Sequence, residues 1–197
     1  MKRAAIAGFT AGAAMMVGGA LGAVSNINTK PAVDLDAEVM NPMVAGRAML
    51  PERDTMANLA SSPIHARLVA ALKESGAAEA LKEDGQFTLF APTDAAFRTG
   101  DKAGLDRRMR YLMVPGRYDS QALLRVINEG GGEAKLRTVE GGVLTARMNG
   151  PTNILLIDER GDTADIAIYD IHDRNGVIQV IDRMIEPGGA PRRVAAE

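Results

Sequence analysis

The spacing of apolar residues changes from 3.6 to 2 about two-thirds of the way along the chain, and that change most restricts the folds open to it. In the earlier part Ile64, Leu68, Val69 and Leu72 recur at the interval of one buried helical stripe. Ser62 and Pro63 read as the N-cap and first-turn pair of that helix, and Gly76 as its stop. A second short helix is predicted over about 77–83. Leu105, Met109, Leu112 and Met113 make another stripe, and a helix from about Ser120 to Asn128 packs Leu123, Leu124 and Ile127. Between them Gln86 to Ala91 reads as a strand closed by Pro92, after which Thr93 caps a short helix containing Ala95, Ala96 and Phe97. Beyond residue 135 the pattern alternates. Leu136 to Val139, Val143 to Met148, Asn153 to Asp158, Ala164 to Tyr169 and Val177 to Met184 are predicted strands, separated by Gly- and Asn-rich turns. Helices followed by a run of short antiparallel strands define an α+β domain.

Residues 1–25 stand apart from this pattern. Lys2 and Arg3 precede an uncharged run from Ala4 to Val24 rich in small residues, which reads as a secretory signal with cleavage after Gly22 or Ser25. A retained membrane anchor is the alternative, since about 20 residues suffice to span a bilayer. Cleavage leaves no membrane span. The reading divides the chain into a signal peptide (1–25), a spacer (26–43), one folded domain (44–187) and a flexible tail (188–197). It implies an exported protein, periplasmic or extracellular.

Several chemistries are excluded at once. There is no Cys, so there is no disulfide framework, thiolate metal site or cysteine nucleophile. The two His, His65 and His172, lack the spacing that puts two imidazoles on one face. The acidic run from Asp158 to Asp173 lacks the order of a calcium loop. No nucleophile elbow or phosphate-cradling loop is present, so the chain reads as noncatalytic, with no cofactor. A formal charge of −2 with both signs interspersed argues against a general attraction to nucleic acid or anionic membrane, and aromatics at 4% with no Trp argue against a base-stacking platform or an aromatic sugar-binding cleft. Lys102, Arg107, Arg108, Arg110 and Arg117 form the one concentration of positive charge. They read as a solvated helix face or, alternatively, as a contact for acidic polysaccharide or lipopolysaccharide. Arg160-Gly161-Asp162, a tripeptide known from integrin recognition, falls in a predicted hairpin turn, where a glycine is wanted for conformational reasons alone.

Four ordered motifs resemble the fasciclin domain. Phe87-Thr-Leu-Phe90-Ala91-Pro92-Thr93-Asp94-Ala-Ala-Phe97 is similar to that family's first signature, TVFAPTNEAF. Asn175-Gly176-Val177-Ile178-Gln-Val180-Ile181-Asp182, ending at Pro187, is similar to its second, NGVIHVID. Tyr111-Leu-Met-Val-Pro-Gly116 resembles the middle YHVVPG segment, and Leu136 to Leu144 the TLxGxxL strand pair. Ala45 to Pro51 is like the lead-in of small bacterial single-domain members. The resemblance implies a wedge of two antiparallel β-sheets flanked by helices. It also implies a noncatalytic adhesion or interaction module that meets protein or polysaccharide at the envelope or matrix. A carrier of lipid or carotenoid is the alternative, with Met109, Met113, Met148 and Met184 as a pliable lining. Two departures are visible. The family's Tyr-His pair is Tyr111-Leu112 here, and the His of the second signature is Gln179, so the receptor contact associated with that pair does not carry over. The signature residues read as structural: Pro92 and Thr93 as a reversal, Asn175-Gly176 as a hairpin needing positive φ.

Overall fold

The computed structural model describes residues 40–81, 86–97 and 104–189; the predicted signal peptide, most of the spacer and nearly all of the tail lie outside them. The chain runs through β1 (Met43–Val44), β2 (Arg47–Ala48), α1 (Thr55–Ser61), α2 (Ala66–Glu74), α3 (Ala77–Ala80), β3 (Phe87–Pro92), α4 (Leu105–Tyr111), β4 (Met113–Pro115), α5 (Ser120–Glu129), β5 (Glu133–Arg137), β6 (Val143–Asn149), β7 (Asn153–Ile157), β8 (Thr163–Asp173) and β9 (Gly176–Ile181). The first two strands pair only with each other. The other seven form one sheet in the order β4-β3-β9-β8-β7-β6-β5.

This corrects the expected pair of antiparallel sheets. The sheet is mixed, because β3 runs parallel to β9 from Phe87 opposite Gly176 to Pro92 opposite Ile181. What would be two sheets are two halves of one, joined through the 11 residues of β8. Its first three residues pair with β7, and Ile166 to Asp173 pair with β9 across register shifts. Irregular pairing of this kind bends a strand and increases its twist. Alternation along β5, β6, β7 and the start of β8 turns Ala134, Leu136, Leu144, Ala146, Ile154, Leu156, Ala164 and Ile166 inward. Phe90, Leu68, Leu72, Met109, Leu123 and Ile127 complete the core from β3 and the helices.

The local readings fail where a distant residue takes over. Ser62 closes α1, its N–H donating to the Leu59 carbonyl. It does not cap α2, whose N-terminal N–H groups at Ala66 and Arg67 donate instead to the Asp94 carboxylate at 3.3 and 2.8 Å. The spacing of apolar residues gave no sign of α1, which Asp54 caps through the Ala57 N–H at 2.7 Å. Thr93 to Phe97 make one turn rather than a helix, with the Thr93 carbonyl accepting from Ala96 and Phe97. The predicted stripe ending at Met113 spans two elements, since α4 stops at Tyr111 and Met113 to Pro115 pair with β3. A fully buried Met satisfies either geometry, so periodicity could not separate them. Asn41, placed in the spacer, is bonded to the His172 backbone in both directions, so ordered contacts begin ahead of residue 44.

Candidate functional site

The arginines of α4 do not form an open basic face. Arg107 Nε meets Glu140 Oε1 at 2.6 Å, and its two terminal nitrogens donate to the Gly189 and Gly188 carbonyls. Arg108 pairs with Glu186 at 3.6 Å, and Arg160 reaches the same carboxylate at 2.5 Å. Together they fasten the segment after β9 across α4. Arg110 is paired one turn back with Asp106. Arg117 lies elsewhere, donating to Gln86 Oε1 and the Asp173 carbonyl. The sequence-predicted set is therefore dispersed and largely engaged within the molecule; Lys102 lies outside the described residues.

The signature residues meet where β3 and β9 run side by side. Asn175 Oδ1 accepts from the Thr55 N–H and hydroxyl, its Nδ2 donates to the Leu81 carbonyl, and the Asp182 carboxylate accepts from the Asp165 N–H. Gly176 corrects the sequence reading. Its φ is not among the positive ones, so the hairpin does not require glycine for that reason. A Cβ there would stand 1.9 Å from the Phe87 carbonyl oxygen, so close approach of the parallel strand excludes any side chain. Positive φ is needed instead at Gly116 (+101°), in the turn after β4.

Gln179, fully buried, does work that sequence reasoning missed. Its Nε2 donates to the Tyr118 carbonyl and to Asp170 Oδ1, while its Oε1 accepts from the Asp170 N–H. Asp170 is one of two non-glycine residues with positive φ among the described residues, at 59°, and its carboxylate also accepts from the Ser120 N–H and hydroxyl. An amide, donor and acceptor at once, clasps a strained residue from both sides.

Burial governs the titratable groups. Tyr111, with its hydroxyl donating to the Val143 carbonyl and accepting from the Glu159 N–H, is held well above the usual phenol range by desolvation. Burial raises the Asp173 carboxyl, against bonds from Thr55, Asn175 and Gly176 and the nearby Arg117. Burial lowers the His65 imidazole below 6.5, with Asp94 and the Ala91 backbone opposing it. Its Nδ1 bonds the Ser62 hydroxyl at 2.7 Å. The neutral ring is thus the folded form. Its contribution is complete above pH 6.5 and is lost as pH falls through the lower folded value, because the unfolded chain takes up the proton first. Asp173 acts oppositely, contributing fully below 3.8 and losing that contribution as pH rises through its raised value. The melting temperature is therefore expected to fall as the native protein is acidified from pH 7.5 to 5.5, and to fall less in His65→Gln. Parallel curves for the two proteins would refute the assignment to His65.

The Arg160-Gly161-Asp162 turn is built as a turn. Gly161 has a φ of +87°, and the Asp158 carboxylate accepts from the N–H groups of Arg160 and Asp162. The Arg160 guanidinium is held by Glu186 and the Pro187 carbonyl. Integrin-bearing cells are expected to adhere equally to surfaces coated with the native protein and with Asp162→Glu. Strong adhesion lost in the variant would overturn that expectation.

One surface does hold unengaged groups. Between β4 and the end of β5 lies a groove of about 440 Å³ lined by Phe87, Val114, Pro115, Tyr118, Arg137, Thr138 and Val139. One backbone bond, from the Val139 N–H to the Met113 carbonyl, crosses it. Arg137 and Lys135 on β5 and Arg147 on β6 are exposed, and none has a hydrogen bond or ion pair among the described residues. Sequence reasoning passed over them because cations at alternate strand positions look like any solvated sheet face. Among the described residues no cluster of three or more His, Asp or Glu is arranged to hold a metal.

Residues 64–187 match the family described as the fasciclin domain. Human periostin is 30% identical over 126 residues, 57% of this chain and 13% of periostin. Protein sll1483 of Synechocystis is 29% identical over 133 residues, 61% of this chain and 66% of that protein. The chain thus spans about an eighth of the first relative's length and just under two thirds of the second's. The solved FAS1 domain pair of the insect cell adhesion molecule fasciclin I superposes with a TM-score of 0.57 at 19% identity, covering 70% of this chain and 53% of that one. The likeness extends to the arrangement of helices around a sheet. With both signatures inside the matched region and paired side by side within that sheet, the chain belongs to the fasciclin domain family.

Proposed function

We propose that this chain is a noncatalytic interaction module, exported to the cell envelope or extracellular matrix, that contacts protein or polysaccharide partners through its outer surface. The observation that carries the reading is where the polar signature groups go. Asp94, Asn175, Gln179 and Asp182 are engaged with backbone groups, so they hold the fold and leave its outer surface to make contacts. The fold likeness to an insect cell adhesion molecule supports it, as does the signal-like segment 1–25, which lies outside the described residues. Among the described residues no helix is long and apolar enough to cross a membrane.

The carrier reading draws less support. Of the four methionines that would line such a site, Met109 and Met113 are fully buried in the core, Met148 edges an open groove of about 360 Å³ beside Leu124 and Tyr169, and Met184 lies in a cleft of about 550 Å³. That cleft is edged by Arg160, Asp162, Asp182, Arg183 and Glu186, an unfavourable surface for an apolar ligand. Protein purified natively from its own cells is expected to be colourless, free of stoichiometric extractable lipid, and to retain envelope polysaccharide or protein on a column. A pigment or lipid recovered at near one per chain would replace this reading with the carrier. N-terminal sequencing of the exported protein is expected to begin after Gly22 or Ser25, and a start at Met1 would remove the export step.

A further inference from the structure

The groove between β4 and β5 opens onto a line of exposed cationic side chains. At its edge Arg137 points outward, two residues before it Lys135 lies on the same face, and Arg147 sits on the neighbouring strand opposite Glu133. Same-face residues on a strand are about 7 Å apart, and diagonal cross-strand neighbours about 7–8 Å. Three cations are therefore spaced out rather than gathered, so a small anion would meet one of them at a time. A chain bearing a negative group at each repeat would meet them in succession.

The groove itself supplies a different contact: aromatics are too few in the sequence to suggest a sugar-binding cleft, yet two of them line this one surface. Phe87 and Tyr118 are both half-buried in it, and Tyr118 packs against Gly116, where a Cβ would come within 3.1 Å of the ring. Half-buried rings offer the faces on which the C–H side of a sugar stacks. The groove has no enclosed apolar pocket of the kind that takes the side chains of a peptide. Of the acidic groups on this outer face, Glu133 stands at the end away from the groove, directly opposite Arg147, and Asp165 is occupied by the Asn149 and Asn153 amides. With a formal charge of −2 on the whole chain, no general attraction to polyanions is expected, so affinity for one would have to be local.

We propose that this groove and the outer face of β5 bind a linear carboxylated polysaccharide. Sugar rings lie on Phe87 and Tyr118, and successive carboxylates pair with Arg137, Lys135 and Arg147. The proposal rests on the interaction-module reading above and names its partner class and face.

The test uses the full chain and sodium polygalacturonate, with neutral dextran and polyglutamate as comparisons, titrated calorimetrically at low salt. The triple variant Lys135→Gln/Arg137→Gln/Arg147→Gln alters exposed positions only and is expected to fold as the native protein does. Its affinity for polygalacturonate is expected to drop about tenfold or more, as loss of several exposed ion pairs allows. A charge-matched control, Arg53→Gln/Arg125→Gln/Arg174→Gln, is expected to bind as the native protein does. Tyr118→Leu, checked by its melt, is expected to weaken binding while leaving the salt dependence unchanged. No binding of polygalacturonate by the native protein, equal binding of polyglutamate, or an equal drop in the control would each overturn the proposal. Envelope material still retained by the triple variant in the pull-down would show that the interaction reading survives such a failure.

Discussion

Gly176→Ala is expected to destroy the cooperative fold or to leave it destabilised by more than about 4 kcal/mol, the range reserved for changes the structure cannot absorb. The added methyl would lie 1.9 Å from the Phe87 carbonyl oxygen and 2.9 Å from its carbon, both backbone atoms. No rotamer change relieves such an overlap. Only separation of β3 from β9 does, and those two strands are the interior of the sheet, with every residue of β9 buried. Gly161→Ala provides the contrast. Nothing lies within 4 Å of its Cβ position, so only the positive φ is strained, and a cost of about 1 kcal/mol is expected. Urea unfolding of the two variants measures the difference. A Gly176→Ala protein unfolding within 1 M urea of the native midpoint would contradict the close-approach argument.

Asp158→Ala is expected to cost about 3–5 kcal/mol, because a charged acceptor is removed from three donors at once. Asp158 is 6% exposed. Its Oδ1 accepts from Arg160 and Asp162 N–H groups, both at 2.9 Å, and its Oδ2 from the Glu186 N–H at 2.9 Å. One side chain thus shapes the β7–β8 turn and ties the segment after β9 to it. Asp158→Asn retains one acceptor oxygen but turns an amide N–H toward the remaining donors, so an intermediate loss is expected. Chemical denaturation ranks the three proteins. An alanine variant as stable as the native chain would show that water replaces the carboxylate at no cost.

The alternation from Leu136 onward located β5 to β8 to within a few residues of their ends, since these strands turn one face to the core; β9 is buried along its whole length, and its start after Asn175-Gly176 fits a continuous apolar run rather than an alternating one. The family was legible because its two signatures are contiguous runs of sequence, on β3 and β9, the strands whose parallel pairing brings the early and late parts of the chain together. Features set by distant residues were not legible. Asp94 caps a helix 28 residues before it, and no local spacing announces that. Gly176 looked like a hairpin glycine because Asn-Gly favours such turns, whereas the demand on it comes from Phe87. The α4 arginines looked solvated by spacing, yet their partners come from two later segments, Glu140 from the β5–β6 turn and Glu186 and Gly188 from the stretch after β9. Charge placement within a helix can be read from sequence; the side of it that another segment will cover cannot.

The parallel register of Phe87 with Gly176 has a kinetic consequence. The neighbours of this ladder stand about 90 residues apart in the chain, and closing a loop of that length costs about 4 kcal/mol of chain entropy before any strand contact offsets it. Folding dominated by such long-range pairing is slow. Because β9 occupies the place between β3 and β8, a chain growing from its N-terminus leaves that place in the sheet vacant until residue 181 has been made. The sheet is therefore completed only after the whole span from β3 to β9 has been synthesised, and until then β3 and β8 each leave one edge unpaired.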